Sequence, residues 1–566
     1  MTDLPEILRG ILERRGIGAA ELEGYFNPSL ADLAKPEELP GICEAAEEIL
    51  DAVLYRRKIV IFGDYDCDGI CATAIMISCL AALGAKDNVT PFLPNRLNEG
   101  YGMSDASVAR MLKENPGVGL VVTVDNGINA IPQIASLRER WVPVVVTDHH
   151  LASRKEDGTP DLPAAKAVVD PKVAAPESMS NLCGAGVAFM LANRIMSEAK
   201  RRGMYKGPSI GGPLLILAGL ASVTDIMPLV GQNRILVAEA LHRFGACAPL
   251  GLRELLERAS KTTPTTMTSK DFSFLLGPRI NAAGRIADGM EALELILADD
   301  REIAREAARI VDLRNIERKN IERRMTEEAL AKVVPGALAQ VIDLSDGHPG
   351  IAGIVAARLL ERLGNVPVCV VAGGHGSARA PDGVNIRDAF EACSDMLTRF
   401  GGHAAAGGFS VKEGRMDDFR RALNDYCRTL ECVSADKPAP TEPDAWVTLA
   451  DITVELAEWV VRMEPFGEGN PMPRFGFRDA AIVDARTLGQ EGNHLTLTIG
   501  TYGAPRTAPR LRAIWWGHGE LAEQLRSESG MVRDIQFTIE LSEYGTRHVE
   551  LRIVSLGEPH PPVAAQ

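Results

Sequence analysis

Five aspartates and two histidines stand where their side chains could share one reaction centre. Asp64, Asp66 and Asp68 lie in Gly63-Asp64-Tyr65-Asp66-Cys67-Asp68-Gly69, directly after the apolar run Ile59-Val60-Ile61-Phe62. Asp125 follows a second such run, Leu120–Val124, and opens Asp125-Asn126-Gly127. His149 and His150 follow Asp148 at the end of a third run, Val142–Thr147. Asp225 is an acid in the otherwise apolar segment Leu220–Leu229, and a carboxylate buried there without a partner would be costly. Carboxylates with a few imidazoles form a hard donor set suited to Mn²⁺ or Mg²⁺. Two such ions about 3.5–4 Å apart need a bridging carboxylate and several terminal ligands, and together they activate water against a phosphoryl centre. The bland alternative is that these acids and histidines only cap helices and turns. Four sites placed alike argue against it.

The elements that must position these residues are legible from pattern. Short β-branched runs bounded by turn residues read as buried strands. Alternation of strand and helix from residue 55 to about 225 implies a parallel sheet, in which ligands gather beyond the carboxyl ends of the strands. A helix is expected over Ile70–Leu83, which leaves Asp66 and Asp68 in the preceding loop, and a further strand over Val89–Leu93. Asp299–Val333 lacks Pro and Gly, is highly charged, and reads as one long connecting helix. A second, smaller α/β unit follows, with strands over Ala339–Leu344 and Pro367–Ala372, a helix over Ile351–Leu363, and a turn over Gly373–Arg379. Short strands at His494–Ile499, Leu511–Trp516, Ile535–Leu541 and Val549–Val554 suggest a small C-terminal β-barrel. The resulting division is an N-terminal helical segment (1–50), the site-bearing domain (51–228), a helical connector (229–335), the second α/β domain (336–433) and the barrel (446–560), with 434–445 as a linker.

The bulk numbers fit this picture. A chain of 566 residues is too long for one core. Its net charge of −15 sets it apart from typically basic nucleic-acid binders, so any such binding must come from local basic grooves. Ten cysteines without a CxxC pair fit free thiols in a reducing cytoplasm. The N-terminus lacks the pattern of a signal peptide, the apolar stretches are too short to span a bilayer, and no membrane partner is expected.

Gly63–Gly69, Val124–Gly127, Thr147–His150 and Ser222–Leu229 resemble the four acidic motifs of the DHH phosphoesterase family. Gly277-Pro278-Arg279-Ile280-Asn281-Ala282-Ala283-Gly284-Arg285, the Gly401-Gly402-His403 turn and the length of the chain resemble the RecJ branch of single-strand-specific exonucleases within it. That resemblance implies a parallel-sheet DHH catalytic domain, a smaller α/β DHH-associated domain joined by a long helix, and an OB-fold barrel. It implies two Mn²⁺ or Mg²⁺ ions. Asp66 would bind one and Asp68 the other, with Asp125 bridging and His149 and Asp225 as terminal ligands of the second. Asp64 would support the metal site, and His150 would act as a general acid or a phosphate donor. Asp148 would orient an imidazole. Ser377 and Arg379 would hold a terminal 5′-phosphate, with Arg96, Arg279 and His403 in the same cleft and Trp516 stacking on a base of the strand. The implied activity is 5′→3′ hydrolysis of single-stranded DNA to mononucleotides in recombination and repair, with a helicase and a single-strand-binding protein as partners. A short-oligonucleotide or cyclic-dinucleotide phosphodiesterase is the rival enzyme. A non-catalytic single-strand-binding module is the rival of another class, and the intact ligand set disfavours it.

Overall fold

A computed structural model describes the chain except residues 1–2, 97, 101, 261–265, 431–432, 434–441, 490, 506, 529, 543–546 and 563–566. Most of the expected linker therefore lies outside the described residues. The chain forms two compact units, one of Ala34–Met227 with Gly231–Ala439, the other of Met1–Leu33, Pro228–Val230 and Pro440–Gln566.

In the larger unit the apolar runs become strands β1 (Ile59–Phe62), β2 (Val89–Phe92), β3 (Leu120–Val124), β4 (Val144–Thr147) and β5 (Ala167–Val169). They form one wholly parallel sheet in the order β2-β1-β3-β4-β5. All residues of β1, β3 and β4 are buried, as a sheet covered by helices on both faces requires. Parallel register lines up Phe62 with Thr123, and Val124 with Thr147, so the acidic loops leave the sheet along one edge.

The helix after β1 runs over Cys67–Ala82, three residues earlier than its apolar pattern suggests. Asp66 is its N-cap, accepting from the amides of Asp68 (3.1 Å) and Gly69 (3.2 Å), so Asp68 lies in the first helical turn rather than in a loop. An aspartate can end a loop and begin a helix at once, because its carboxylate satisfies amides the first turn leaves open.

The connector helix spans Arg301–Ala331. Helix Gly277–Ile286 packs against it, fixed by the buried pair Arg279 Nε–Asp312 Oδ1 at 2.9 Å. Beyond it lie β6 (Gln340–Leu344), β7 (Val368–Ala372), β8 (His375–Arg379), β9 (Leu397–Gly402) and β10 (Ala406–Val411), in the order β6-β7-β8-β10-β9. The turn expected over 373–379 shrinks to Gly373-Gly374, both with positive φ, and His375–Arg379 is a strand of the hairpin that turn makes. The glycine-rich run likewise forms the antiparallel β9–β10 hairpin, pairing Gly407 with Gly402 and Gly408 with Gly401.

The smaller unit holds β11 (Ala445–Trp446), β12 (Phe475–Leu488), β13 (His494–Thr501), β14 (Leu511–Trp515), β15 (Val532–Ser542) and β16 (His548–Leu556). Their order is β11-β12-β13-β14-β16-β15, and pairing of β12 with β15 closes the barrel. The expected 1–50 segment divides here. Helices Glu6–Arg14 and Leu22–Phe26 bury Leu8, Ile11, Leu12 and Phe26 in the same apolar core as Trp459, Phe475 and Phe537 of the barrel. Tyr25 adds a hydrogen bond to Asn470 (2.9 Å). Helix Ile42–Leu54 instead packs on β5 and on helix Gly184–Arg201 of the larger unit.

Removing one member of a buried ion pair leaves the other uncompensated, at a cost of about 3–5 kcal/mol. Asp312→Ala should therefore lower the unfolding free energy of the larger unit, read from urea titration, by about 3–5 kcal/mol, and an unchanged free energy would show that the Arg279 pair does not hold the connector.

Candidate metal centre and phosphate cleft

The three strand-end loops meet at one point. His149 Nε2 lies 3.1 Å from Asp125 Oδ1, 3.6 Å from Asp68 Oδ2 and 3.7 Å from Asp225 Oδ2. Two separate clusters of donor atoms result, Asp64/Asp66/Asp125 and Asp68/His149/Asp225, and a third, Asp125/His149/His150, shares one residue with each. Asp64, Asp68, Asp125 and His149 are buried, while Asp66, His150 and Asp225 are half-buried.

Each donor is held by the local fold. Asp125 adopts φ +61°, a left-handed conformation uncommon outside glycine, which turns it off the end of β3. Asp68 accepts from the amides of Gly184 and Ala185, both at 2.7 Å, at the N-terminus of helix Gly184–Arg201, where a negative charge is favoured. Asp148 accepts from the amides of Ile128 (2.9 Å) and His149 (2.7 Å) and from His150 Nδ1 (2.7 Å), so it orients an imidazole instead of joining the cluster. The Gly277–Ile286 helix braces the first loop: Asn281 Oδ1 accepts from the Cys67 amide at 2.8 Å, and a Cβ at Gly284 would collide with the Tyr65 carbonyl.

The electrostatics of this cluster are unfavourable without cations. Burial, then the neighbouring charge of Asp66, pushes the Asp64 carboxyl well up. Burial and Asp68 raise Asp66, and burial with Asp68 and Asp66 raises Asp125 strongly. Asp225 is pushed up to about 8 by burial and by Asp68 and Asp66. Burial holds His149 below the usual imidazole range, which favours the neutral, metal-binding form. Asp64 Oδ2 is buried with no hydrogen-bond partner. A pair of hard divalent cations would satisfy this donor set, and the residues present fit such ions.

His150 differs from its neighbour. Burial pushes its imidazole down, but the hydrogen bond and charge of Asp148, with Asp225 and Asp68, lift it overall to about 9. Asp148 is correspondingly held below the usual carboxylate range, burial being outweighed by His150.

The cleft beside this centre, about 830 Å³, is lined by Tyr65, Arg96, Ser377, His403, His375 and Arg399. Arg96 lies over the Tyr65 ring at 5.1 Å. Ser377 and Arg379 converge on Gly353, whose missing side chain leaves them room. His403 is exposed on the cleft wall, which excludes a core role for it. Trp516 is 54% exposed in the barrel unit, with the His494 ring edge at 4.7 Å and the Arg552 guanidinium at 5.5 Å.

Arg279 does not belong to the cleft. It is buried, bonded to Asp312 and to the Leu275 carbonyl (2.8 Å). Six residues further along the same helix, Arg285 faces the acids instead: burial, then Arg96, brings its guanidinium down to about 10, and the charges of Asp66 and Tyr65 act the other way. Six helical residues rotate the side chain by about 120°, so the motif presents one arginine to the connector and the other to the site. Gly184 and Asp170 also escaped the sequence. A Cβ at Gly184 would sit 2.5 Å from Asp125 Cβ. Asp170 follows β5 as a further strand-end acid, raised to about 7 by burial and by Asp148. Position after a strand was the signal available for Asp170. Gly184 had none.

A parallel sheet carrying this cluster, joined by a long helix to a second α/β domain, defines a DHH-type phosphoesterase. Family models agree: the DHH family N-terminal domain matches residues 58–210, the DHHA1 domain 335–429 and the RecJ OB domain 443–555. The chain belongs to the RecJ family. It is 33% identical to the single-stranded-DNA-specific exonuclease RecJ of Salmonella typhimurium, covering 88% of each chain. It is also 33% identical to that of Bacillus subtilis, over 91% of this chain and 64% of that longer relative. The crystal structure of Thermus thermophilus RecJ in complex with Mn²⁺ matches with TM-score 0.79 and 31% identity, over 97% of this chain and 76% of that one. The Mg²⁺ complex matches with TM-score 0.71.

Gly184→Ala should disturb Asp125 and lower both divalent-cation affinity and turnover by about tenfold or more while the fold persists, since metal sites tolerate little misplacement. Calorimetric Mn²⁺ titration beside circular dichroism reads it, and unchanged affinity would mean that Asp125 has room to move. In metal-free protein the stability supplied by His150 is complete below an imidazole's ordinary value and fades as the pH climbs through about 9. Asp148→Asn should bring the His150 NMR titration midpoint down by about one unit or more. A midpoint that stays near 9 would remove Asp148 as the cause.

Proposed function

We propose that the protein is a Mn²⁺- or Mg²⁺-dependent exonuclease that degrades single-stranded DNA from its 5′ end, releasing 5′-mononucleotides. The observation that carries this is the pair of donor clusters linked through Asp125 and His149, set beside a cleft lined with arginine, serine and histidine. Relatives covered over most of their length bear the name single-stranded-DNA-specific exonuclease.

On this reading Asp64 and Asp66 hold one ion, and Asp68, His149 and Asp225 hold the other, with Asp125 between them. Bound there, the ions would supply a nucleophilic hydroxide and neutralise charge on the phosphoryl oxygens. The remaining work falls to the chain itself. Helix Gly184–Arg201 keeps Asp68 aimed through the amides of Gly184 and Ala185. His150, fixed through Nδ1 by Asp148, donates through Nε2 to a phosphoryl oxygen as charge builds there. Arg96, Ser377 and Arg379 seat the terminal 5′-phosphate, which sets both the polarity and the one-nucleotide register of cleavage. The charge of Arg285 acts on Asp66 and is opposed by that of Arg96 in the seat. Trp516, with Arg552 and His494 about it, offers a face on which a base stacks without regard to sequence.

Such an enzyme needs strands already separated. A helicase to open duplex and a single-strand-binding protein to cover the product strand are the partners this activity calls for, in the cytoplasm where recombination and repair proceed. No single helix among the described residues is long and apolar enough to cross a membrane.

With Mn²⁺ and single-stranded DNA labelled at either end, the 5′ nucleotide should appear first, and duplex should be spared. Asp125→Ala should cut turnover by about a thousandfold or more while strand binding persists. Early release from the 3′ end would overturn the polarity. Hydrolysis of dinucleotides without attack on long strands would make the protein a small-substrate phosphodiesterase.

A further inference from the structure

The loop that carries Arg96 is held from behind. It leaves β2 after Phe92 and ends at helix Asp105–Glu114. Three hydrogen bonds close its first half on itself. The Asn95 amide donates to Glu99 Oε2 (2.7 Å), the Glu99 amide to the Asn95 carbonyl (2.8 Å), and the Asn98 amide to Asn95 Oδ1 (3.2 Å). Arg96 stands in this closed turn, on the wall of the cleft beside the metal centre. Asn95, Asn98 and Glu99 also line a second hollow, about 460 Å³, whose further wall is Arg110. The loop is thus the partition between the two.

Arg110 grips the partition. Its Nε donates to Glu99 Oε1 (2.7 Å) and its Nη2 to Glu99 Oε2 (2.9 Å), a two-pronged pair. Nη2 also donates to the Leu93 carbonyl (2.8 Å), so one guanidinium ties the start of the loop to the carboxylate that closes it. The guanidinium lies 4.1 Å from the centre of the Phe92 ring. That ring packs at 4.9 Å on Phe62, the residue from which the first acidic loop departs. Most surface ion pairs contribute little, because water screens them and both side chains can move. This pair differs in geometry and in burial. The Glu99 side chain is only 9% exposed, and its hydrogen bond with Arg110 holds the carboxyl below the usual carboxylate range.

The second half of the loop has a separate anchor. Ser104 caps helix Asp105–Glu114, the Ser107 hydroxyl donates to the Gly102 carbonyl (3.2 Å), and the Gly102 amide donates to Asp64 Oδ1 (3.4 Å). None of these bonds involves Arg110. Loss of Arg110 therefore frees the half that bears Arg96 and leaves the half that meets Asp64. We propose that Arg110 is a positioning residue: acting through Glu99, it fixes Arg96 for the terminal 5′-phosphate and so sets a preference for phosphorylated 5′ ends. This rests on the exonuclease reading for the use of Arg96, and on the loop's own contacts for the clamp. Arg110 is not among the residues that line the cleft.

The test compares wild type, Arg96→Ala, Arg110→Ala and R96A/R110A on single-stranded DNA bearing a 5′-phosphate or a 5′-hydroxyl. Hydrogen exchange of the loop amides and Mn²⁺ affinity are read on the same preparations. Arg110→Ala should raise KM for the phosphorylated strand about tenfold, the effect of losing one charge-assisted phosphate contact, and change kcat by less than about twofold. KM for the hydroxyl strand and Mn²⁺ affinity should not move. Exchange at the Asn95 and Glu99 amides should quicken about tenfold in Arg110→Ala and stay at the wild-type rate in Arg96→Ala. The double variant should be no worse than Arg96→Ala, since Arg110 acts through that residue. Additive losses in the double variant would overturn the proposal, and so would unchanged exchange in Arg110→Ala. A wild type that takes both kinds of 5′ end alike would also overturn it. If wild type degrades no DNA, the exonuclease reading fails on its own, and the exchange rates still decide whether Arg110 clamps the loop.

Discussion

Repulsion among buried carboxylates is the constraint around which the larger unit is arranged. Asp64, Asp66, Asp68, Asp125 and Asp225 are brought within a few ångströms by strand ends and one helix terminus, and four of them are pushed toward neutrality by burial and by each other. No packing arrangement makes that favourable by itself. The fold supplies what positive character it can: the amides of Gly184 and Ala185 on Asp68, and Arg285 toward Asp66. The remaining deficit is what divalent cations satisfy. Stability of the sheet and affinity for metal are thus linked through the same residues.

The same tension explains where the backbone departs from comfortable conformations. Asp125 takes a left-handed φ, and Gly184 stands where no side chain fits. Both concern Asp125, a member of one donor cluster that lies 3.1 Å from His149 of the other.

Much of this was legible in the sequence because it follows from short-range rules. A buried parallel strand is a β-branched run, and an acid after it must lie at the sheet edge, so Asp66, Asp68, Asp125, His149 and their strands could be read directly. What escaped depends on rotation or on distant partners. Arg279 and Arg285 are equivalent in composition and differ only in helical phase. Gly184 matters because Asp125, far away in sequence, needs its space. The start of the Cys67–Ala82 helix was misread because Asp66 caps a helix and faces the metal cluster together. The fate of residues 1–33 was not legible at all, since their apolar helical faces do not reveal which core they join.

Residues 1–33 also bear on how the molecule is made. The core of the smaller unit is discontinuous: Arg15 pairs with Asp444, and Tyr25 with Asn470, across more than four hundred residues. On a ribosome adding about 5–20 residues per second, the N-terminal helices wait roughly 20–90 s for the strands that cover them. Meanwhile the larger unit can complete itself from chain broken only at Pro228–Val230. The apolar faces of Glu6–Arg14 and Leu22–Phe26 are then the surfaces most in need of a chaperone. A fragment cut to remove the barrel at its linker keeps those uncovered helices unless it also begins near Ala34, where the larger unit starts.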